Sequence, residues 1–122
     1  MKTQVAGALV LAAMAATAVA GQKYTHPVTF DANKPFVFGS VGDARNSADA
    51  FQYIGCVLNG ATGFCYATDS AGVGHSCSTT DPDMLSNIRA IHGDSSIAFK
   101  WNPTNGLCTL VMVYNDSARA PK

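Results

Sequence analysis

The sequence contains no glutamate, so all eight acidic residues are aspartate. Aspartate favours turns and helix N-caps because its short side chain bonds to nearby backbone groups, whereas glutamate favours helix interiors. Eight lysines and arginines balance the eight aspartates, and charged residues make up only 13% of the chain. This composition favours strands and loops, and it lacks the clustered basic surface that binds nucleic acid or anionic lipid.

The signatures of several catalytic and cofactor sites are also absent. The chain has no G-x-S-x-G nucleophile elbow, no phosphate-binding glycine loop and no dinucleotide fingerprint. The three histidines His26, His75 and His92 are scattered, and no C-x-x-C pair is present, so the spacing of a zinc site is missing. We therefore expect no cofactor and no metal.

The first twenty residues have the pattern of a secretory signal peptide. Lys2 gives a positive start, residues 5–20 are small and mostly apolar, and Ala18-Val19-Ala20 is a cleavage signal. The run is shorter than the roughly 20 apolar residues that a membrane-spanning helix needs. We expect cleavage before Gly21, no membrane insertion afterwards, and one domain over residues 21–122 in the periplasm or outside the cell.

Four cysteines in an exported chain imply two disulfides, for which three pairings are possible. A hairpin turn over residues 59–62 places Cys56 opposite Cys65, whereas a loop over residues 70–72 places Cys65 opposite Cys77. Only one of these two bonds can form. The preferred pairing is Cys56–Cys65 with Cys77–Cys108, and the alternative is Cys65–Cys77 with Cys56–Cys108.

Alternation of apolar and polar residues predicts most of the secondary structure. The expected strands are residues 36–41, 51–58, 64–68, 73–79, 96–101 and 107–114, with a short edge strand near Val28 and Phe30. One helix is predicted over residues 81–92, with Asp81 as N-cap, Pro82 at the first helical position and Gly93 as the stop. The pattern predicts a mainly antiparallel β domain of five to seven strands, as a sandwich or a half-open barrel.

All four cysteines are expected on one core-facing side of these strands. The apolar residues that share this side in the predicted strands are Ile54, Leu58, Leu110 and Met112. The opposite side of two adjacent strands carries four aromatic residues, namely Phe51, Tyr53, Phe64 and Tyr66. If that side is open, it is a flat platform suited to a glycan, a peptide or a partner protein. The alternative is that the 36–41 strand or the segment before it covers the aromatic side.

Residues 42–50 form the polar segment with the most varied chemistry, including Asp43, Arg45 and Asp49. We expect a solvated loop with an internal Asp–Arg pair. A calcium loop fits poorly, because Arg45 and Ala48 stand where an EF-hand needs an oxygen ligand and a glycine. The leading interpretation is a non-enzymatic exported binding protein, and an inhibitor of a secreted enzyme could use this loop. The alternative is a small secreted hydrolase that uses Asp43, Asp49 or His75.

Three stretches of the sequence carry a resemblance to known proteins. They are ARNSADAFQYIGC, SCSTTDPDMLSNIRAI and FKWNPTNGLCTLVMV, which begin at Ala44, Ser76 and Phe99. Together they resemble a group of small exported bacterial proteins whose function is uncharacterised. The resemblance implies a bacterial envelope or extracellular location, and it implies no activity, ligand or catalytic residue.

Overall fold

The computed structural model describes residues 21–31 and 33–119, and this part of the chain is mainly β. The predicted signal peptide lies outside the described residues. The strands are β1 (Thr29–Phe30), β2 (Phe36–Ser40), β3 (Tyr53–Asn59), β4 (Thr62–Thr68), β5 (Gly74–Thr79), β6 (Ser96–Trp101) and β7 (Cys108–Tyr114). The helices are α1 (Val41–Arg45), α2 (Pro82–Arg89) and a short 3-10 turn, Ser117–Arg119.

The described strands form two antiparallel sheets and no closed barrel. The first sheet has four strands in the order β1-β2-β6-β7, and the second has three in the order β3-β4-β5. One core lies between them, with Val37 and Phe99 from the first sheet and Cys65 and Ala67 from the second, all without solvent exposure. The predicted fold class is therefore confirmed.

The hairpin between β3 and β4 follows from its turn residues. Gly60 and Ala61 form a two-residue turn, and Gly60 has a φ of 62°, a left-handed conformation that glycine adopts without steric cost. The resulting register places Leu58 opposite Gly63 and Cys56 opposite Cys65, as the sequence predicted.

The two disulfides have different structural roles. Cys56–Cys65 lies within the β3–β4 hairpin, with 4.0 Å between the two Cα atoms. Cys77–Cys108 joins β5 of the three-stranded sheet to β7 of the four-stranded sheet, with a Cα–Cα distance of 5.0 Å. This is the preferred of the two pairings that the sequence left open.

Helix α2 begins as predicted but ends earlier. The Asp81 side chain accepts hydrogen bonds from the backbone N–H groups of Asp83 and Met84, both at 3.0 Å. The helix ends at Arg89, because the N–H groups of Ala90 and Ile91 donate to the carbonyls three residues earlier and tighten the last turn. The prediction that it extends to His92 is wrong.

The expected loop over residues 42–50 instead begins with helix α1. Ser40 is its N-cap, and its hydroxyl accepts from the backbone N–H of Asp43. A serine followed three residues later by an acidic residue is a helix-start signal. The strand before it accordingly ends at Ser40, and Val41 belongs to the helix.

A bulge in β7 corrects the predicted core face. Lys100 pairs with Leu110 and Trp101 pairs with Cys108, so Thr109 is an extra residue that shifts the alternation. Cys108 therefore shares the buried side of Val111, while Leu110 and Met112 lie on the opposite side. The prediction that Leu110 and Met112 share a face with Cys108 is wrong.

Candidate functional site

The three-stranded sheet has one face packed on the core and one face turned outward. Ile54, Cys65 and Ala67 are buried on the inner side, so the residues that alternate with them point outward. We call this outward side the open face. Its side chains are Tyr53, Val57, Asn59, Thr62, Phe64, Tyr66, Thr68, Ser76 and Ser78.

Three apolar side chains on the open face are largely accessible to solvent. The exposed fractions are 50% for Tyr53, 44% for Val57 and 38% for Phe64, and Tyr66 is half-buried. Val57 lies directly opposite Phe64, and the ring centroids of Tyr53 and Tyr66 are 5.8 Å apart. These side chains form one contiguous apolar patch across two strands.

Neither segment that was expected to cover this patch does so in the described part of the chain, since both β1 and β2 belong to the other sheet. The 36–41 strand is β2, which pairs with β1 and β6 in the other sheet.

Phe51 differs from the other predicted aromatics, because it precedes β3 and lies beside Gly72 in the β4–β5 turn. It is 57% exposed and marks one end of the open face.

A cleft of about 500 Å³ borders the other end of the open face. Thr62 and Ser78 belong to both, since they line the cleft and point outward from β4 and β5. The remaining lining residues are Thr79, Thr80, Asp81, Pro82, Met84, Leu107 and Cys108. Sequence reasoning missed this cleft, because α2 and the distant Leu107 segment complete it only in the fold.

The predicted polar residues Asp43, Arg45 and Asp49 have separate partners. One carboxylate oxygen of Asp43 accepts from the backbone N–H of His26 at 2.7 Å. The Arg45 guanidinium donates to the carbonyl of Gly93 at 2.9 Å. These contacts connect α1 to neighbouring segments, and they give both side chains a structural role.

Asp49 organises the chain just before β3. Its carboxylate accepts from the Gln52 side chain and from the backbone N–H groups of Phe51 and Gln52, at 2.8 to 2.9 Å. These hydrogen bonds, led by that of the Gln52 side chain, stabilise the charged form and lower the pKa of Asp49 to about 2. The Gln52 side chain in turn accepts from the backbone N–H of Val28 at 2.9 Å.

His75, the third residue of the hydrolase alternative, contacts aromatic rings. Its ring stacks on Trp101 with centroids 4.8 Å apart, and it meets the edge of Phe30 at 5.3 Å. The contacts described for His75, Asp43 and Asp49 thus involve three different sets of residues. The hydrolase alternative stays a prediction.

Two searches of the described residues give negative results. Within residues 21–31 and 33–119, no three or more His, Cys, Asp or Glu side chains are grouped so that they could hold a metal ion. In the same part of the chain, no helix combines the length and apolar character needed to cross a membrane.

Comparison with protein families, with curated proteins and with solved structures finds no match for this chain. The resemblance to small exported bacterial proteins therefore stays a prediction. Function has to be inferred from the geometry of the open face and the cleft beside it.

Proposed function

We propose that this chain is a non-enzymatic exported protein that binds a neutral carbohydrate on its open face. The observation that carries the proposal is the exposed set of Tyr53, Val57, Phe64 and Tyr66 on a face whose other side chains are polar and uncharged. A contiguous exposed apolar patch on a small domain is typical of a binding surface. Tyrosine suits such a surface, because its ring contacts apolar groups while its hydroxyl bonds to water or ligand.

The absence of charge on the open face favours a neutral ligand. Its nine outward side chains are tyrosine, phenylalanine, valine, asparagine, serine and threonine. An anionic ligand calls for arginine or lysine, which pair with carboxylates and phosphates. A neutral sugar ring instead presents an apolar C–H side to an aromatic ring and hydroxyl groups at its rim.

The cleft supplies the polar contacts that such a ligand needs. Thr62, Ser78 and Thr80 bring hydroxyl groups to its lining. The Asp81 carboxylate adds an acceptor, although one of its oxygens already caps α2. Ligand sites commonly combine an apolar surface with a few polar groups that fix orientation. A chain segment that lies along the open face would reach the cleft at Thr62 and Ser78.

Export supports an extracellular or periplasmic carbohydrate as the ligand. Two disulfides are compatible with an oxidising compartment. Residues 1–20 carry the sequence pattern of a signal peptide. Both features agree with a protein that meets cell-wall or environmental polysaccharides.

The proposal is tested by binding to insoluble cellulose and chitin and to soluble xylan and starch. We expect measurable binding to at least one of them, with little dependence on salt. Replacing both Tyr53 and Phe64 by alanine should weaken this binding by roughly thirtyfold, since each ring contact contributes about 1 kcal/mol.

Met112→Ala is the matched control. Met112 is 38% exposed, as Phe64 is, but it lies on the other sheet. Its substitution should leave binding unchanged. Binding to none of the four polysaccharides, or equal binding by the double variant, would contradict the proposal. Recovery of a protein partner that depends on Tyr53 and Phe64 would replace the carbohydrate with a protein ligand.

A further inference from the structure

The outer edge of β3 pairs with no strand within residues 21–31 and 33–119. β3 is the terminal strand of its sheet, so no strand lies on the side of its backbone away from β4, although α1 and α2 contact β3. The other sheet edges are short or partly occupied. β1 has only two residues, Ser78 of β5 donates to the carbonyl of Gly106, and the carbonyl of Val111 in β7 accepts from the Asn87 side chain.

The hairpin register identifies the backbone groups at this open edge. The two-residue turn makes Asn59 and Thr62 a hydrogen-bonded pair, so Cys56 and Cys65 form a non-hydrogen-bonded pair. Their short Cα–Cα distance of 4.0 Å agrees with this assignment. The N–H and C=O groups of Ile54, Cys56 and Leu58 therefore point away from β4. None of them has a backbone partner among the described residues.

Nothing in the sequence of β3 protects this edge. Its residues are Tyr-Ile-Gly-Cys-Val-Leu-Asn, with neither a charge nor a proline. Proteins usually discourage edge pairing with charges, prolines or bulges. Val57 and Leu58 are exposed, and Cys56 is partly exposed although its disulfide partner Cys65 is fully buried. The edge is thus accessible to solvent from Cys56 to Leu58, whereas Ile54 is only 5% exposed.

We propose that β3 pairs antiparallel with β3 of a second copy of this chain, across a two-fold axis at Cys56. In this register Cys56 lies opposite Cys56 of the second copy, and Ile54 lies opposite Leu58. Ile54, Cys56 and Leu58 of each strand then belong to hydrogen-bonded pairs. The three pairs together make six backbone hydrogen bonds. A shift of the two-fold axis to Gly55 or Val57 leaves part of these groups unpaired, so the edge is self-complementary in one register.

The side chains fit the same register. Leu58 of the second copy falls beside Ile54, where an adjoining cleft of about 240 Å³ opens. The cleft is lined by Val41, Ala44, Arg45, Gln52, Tyr53 and Ile54. Val57 of the second copy falls beside Gly55, which has no side chain; a Cβ at this position would lie 3.7 Å from the Tyr53 hydroxyl. Apolar and aromatic cross-strand pairs of this kind stabilise a sheet.

The resulting dimer has one continuous six-stranded sheet with two open faces side by side. The two-fold axis is perpendicular to the sheet, so both aromatic patches point the same way. Six strands at about 4.8 Å spacing span about 24 Å between the outermost strands. The pairing itself does not depend on what the open face binds.

The experiment is sedimentation equilibrium of the purified protein over a wide concentration range, with amide hydrogen exchange on the same samples. We expect a monomer–dimer equilibrium. The amide protons of Ile54, Cys56 and Leu58 should become more protected as the dimer forms. Leu58→Pro removes the backbone N–H of residue 58, which points away from β4, and leaves the hydrogen bonds between β3 and β4 intact. It should raise the dimer dissociation constant about tenfold or more.

Leu58→Lys is a second variant, in case proline disturbs the strand. It should weaken the dimer in the same way. The matched control is Met112→Lys, which adds the same charge at an equally exposed residue of the other edge strand, β7, and it should leave the dimer intact. A protein that stays monomeric at all concentrations overturns the proposal. A dimer that survives both Leu58 variants also overturns it.

Protection of these three amides in a monomer also overturns the proposal, because it places another segment of the chain on the edge. Measuring carbohydrate binding by the monomeric Leu58 variants distinguishes a failure of the dimer proposal from a failure of the proposed function. Their affinity for one sugar chain should stay the same.

Discussion

Both sheets carry aromatic residues on their outward sides, but the segments around Tyr24 and Arg119 cover only one of them. On the four-stranded sheet, the ring of Phe38 meets His26 at 4.7 Å and Tyr114 at 5.7 Å between centroids. The Arg119 guanidinium lies over the rings of Tyr114 and Tyr24, at 4.9 and 5.6 Å. On the three-stranded sheet, Tyr53 and Phe64 face solvent.

Within the described part of the chain, the segments near residues 24 and 118 cover the four-stranded sheet and leave the open face exposed. The segments around Tyr24 and Ala118 are joined by a backbone hydrogen bond of 3.1 Å, and they pack on the four-stranded sheet. Covering apolar surface stabilises a fold by about 25 cal/mol per Å². A patch that remains uncovered gives up this stabilisation, which is expected where the surface binds a ligand.

The largest expected effect comes from replacing a buried phenylalanine by alanine, compared with the same replacement on the open face. Phe99 is fully buried in β6, so Phe99→Ala should lower the free energy of unfolding by about 4 kcal/mol. Phe64→Ala on the open face should lower it by about 1 kcal/mol or less. Urea unfolding measures both values. If Phe99→Ala does not fold, Ile97→Val provides a milder test of the same core. An equal cost at Phe64 would show that the open face is covered.

Removing each disulfide in turn compares how much the bond between the sheets and the bond within the hairpin stabilise the fold. Opening Cys77–Cys108, which closes a loop of 31 residues and joins the sheets, should cost about 3.7 kcal/mol with serine at both positions. Opening Cys56–Cys65, with a separation of 9, should cost about 2.6 kcal/mol. Thermal unfolding of the two double-serine variants measures the order. The reverse order would indicate that the hairpin, and not the junction between the sheets, limits stability.

A smaller effect is expected where the C-terminal segment covers the four-stranded sheet. The Arg119 side chain is only 11% exposed, and its Nε donates to the buried Ser96 hydroxyl at 2.8 Å. Arg119→Ala should cost about 2 kcal/mol, from this hydrogen bond and the two ring contacts. It should also increase binding of an apolar dye. Arg89→Ala, at the exposed end of α2, is the control and should change stability by less than about 0.5 kcal/mol. Unchanged dye binding would argue that Arg119 does not hold the cover in place.

The smallest expected effect is a pH dependence at the start of β3. Asp49 has a pKa of about 2, below its ordinary value of 3.8, so its carboxylate stabilises the fold above pH 3.8. This contribution is lost as the pH falls towards 2. The stability difference between the wild-type protein and Asp49→Asn should therefore be constant near neutral pH and shrink over this acid range. A difference that stays constant down to pH 2 would contradict the role of Asp49.

The β3–β4 hairpin was predictable because local signals determine it, whereas two disulfide pairings stayed open. Asn59-Gly60 indicates a tight turn, and the turn fixes the register that places Cys56 opposite Cys65. The start of α2 was predictable for the same reason, since Asp81 and Pro82 are strong N-terminal signals. In these regions the energetics depend on neighbours in the sequence.

The bulge and the exposure of the open face were not predictable from the sequence. Residues 107–114 are apolar on both sides of a strand except at Thr109, so nothing indicates that Thr109 leaves the ladder. Alternation also shows that Tyr53, Phe64 and Tyr66 share a side, but it cannot show what packs against that side. Whether a face is covered depends on the positions of distant segments, such as those around Tyr24 and Arg119.

The hydrogen bond between Tyr24 and Ala118 also holds these two segments on the same side of the molecule. Both segments lie on the outward side of the four-stranded sheet, and the core separates them from the open face. A surface or a fused protein that holds the chain at residue 24 or at residue 118 would therefore lie behind the domain. The patch of Tyr53 and Phe64 would then face outward, where a large polymer could approach it without hindrance.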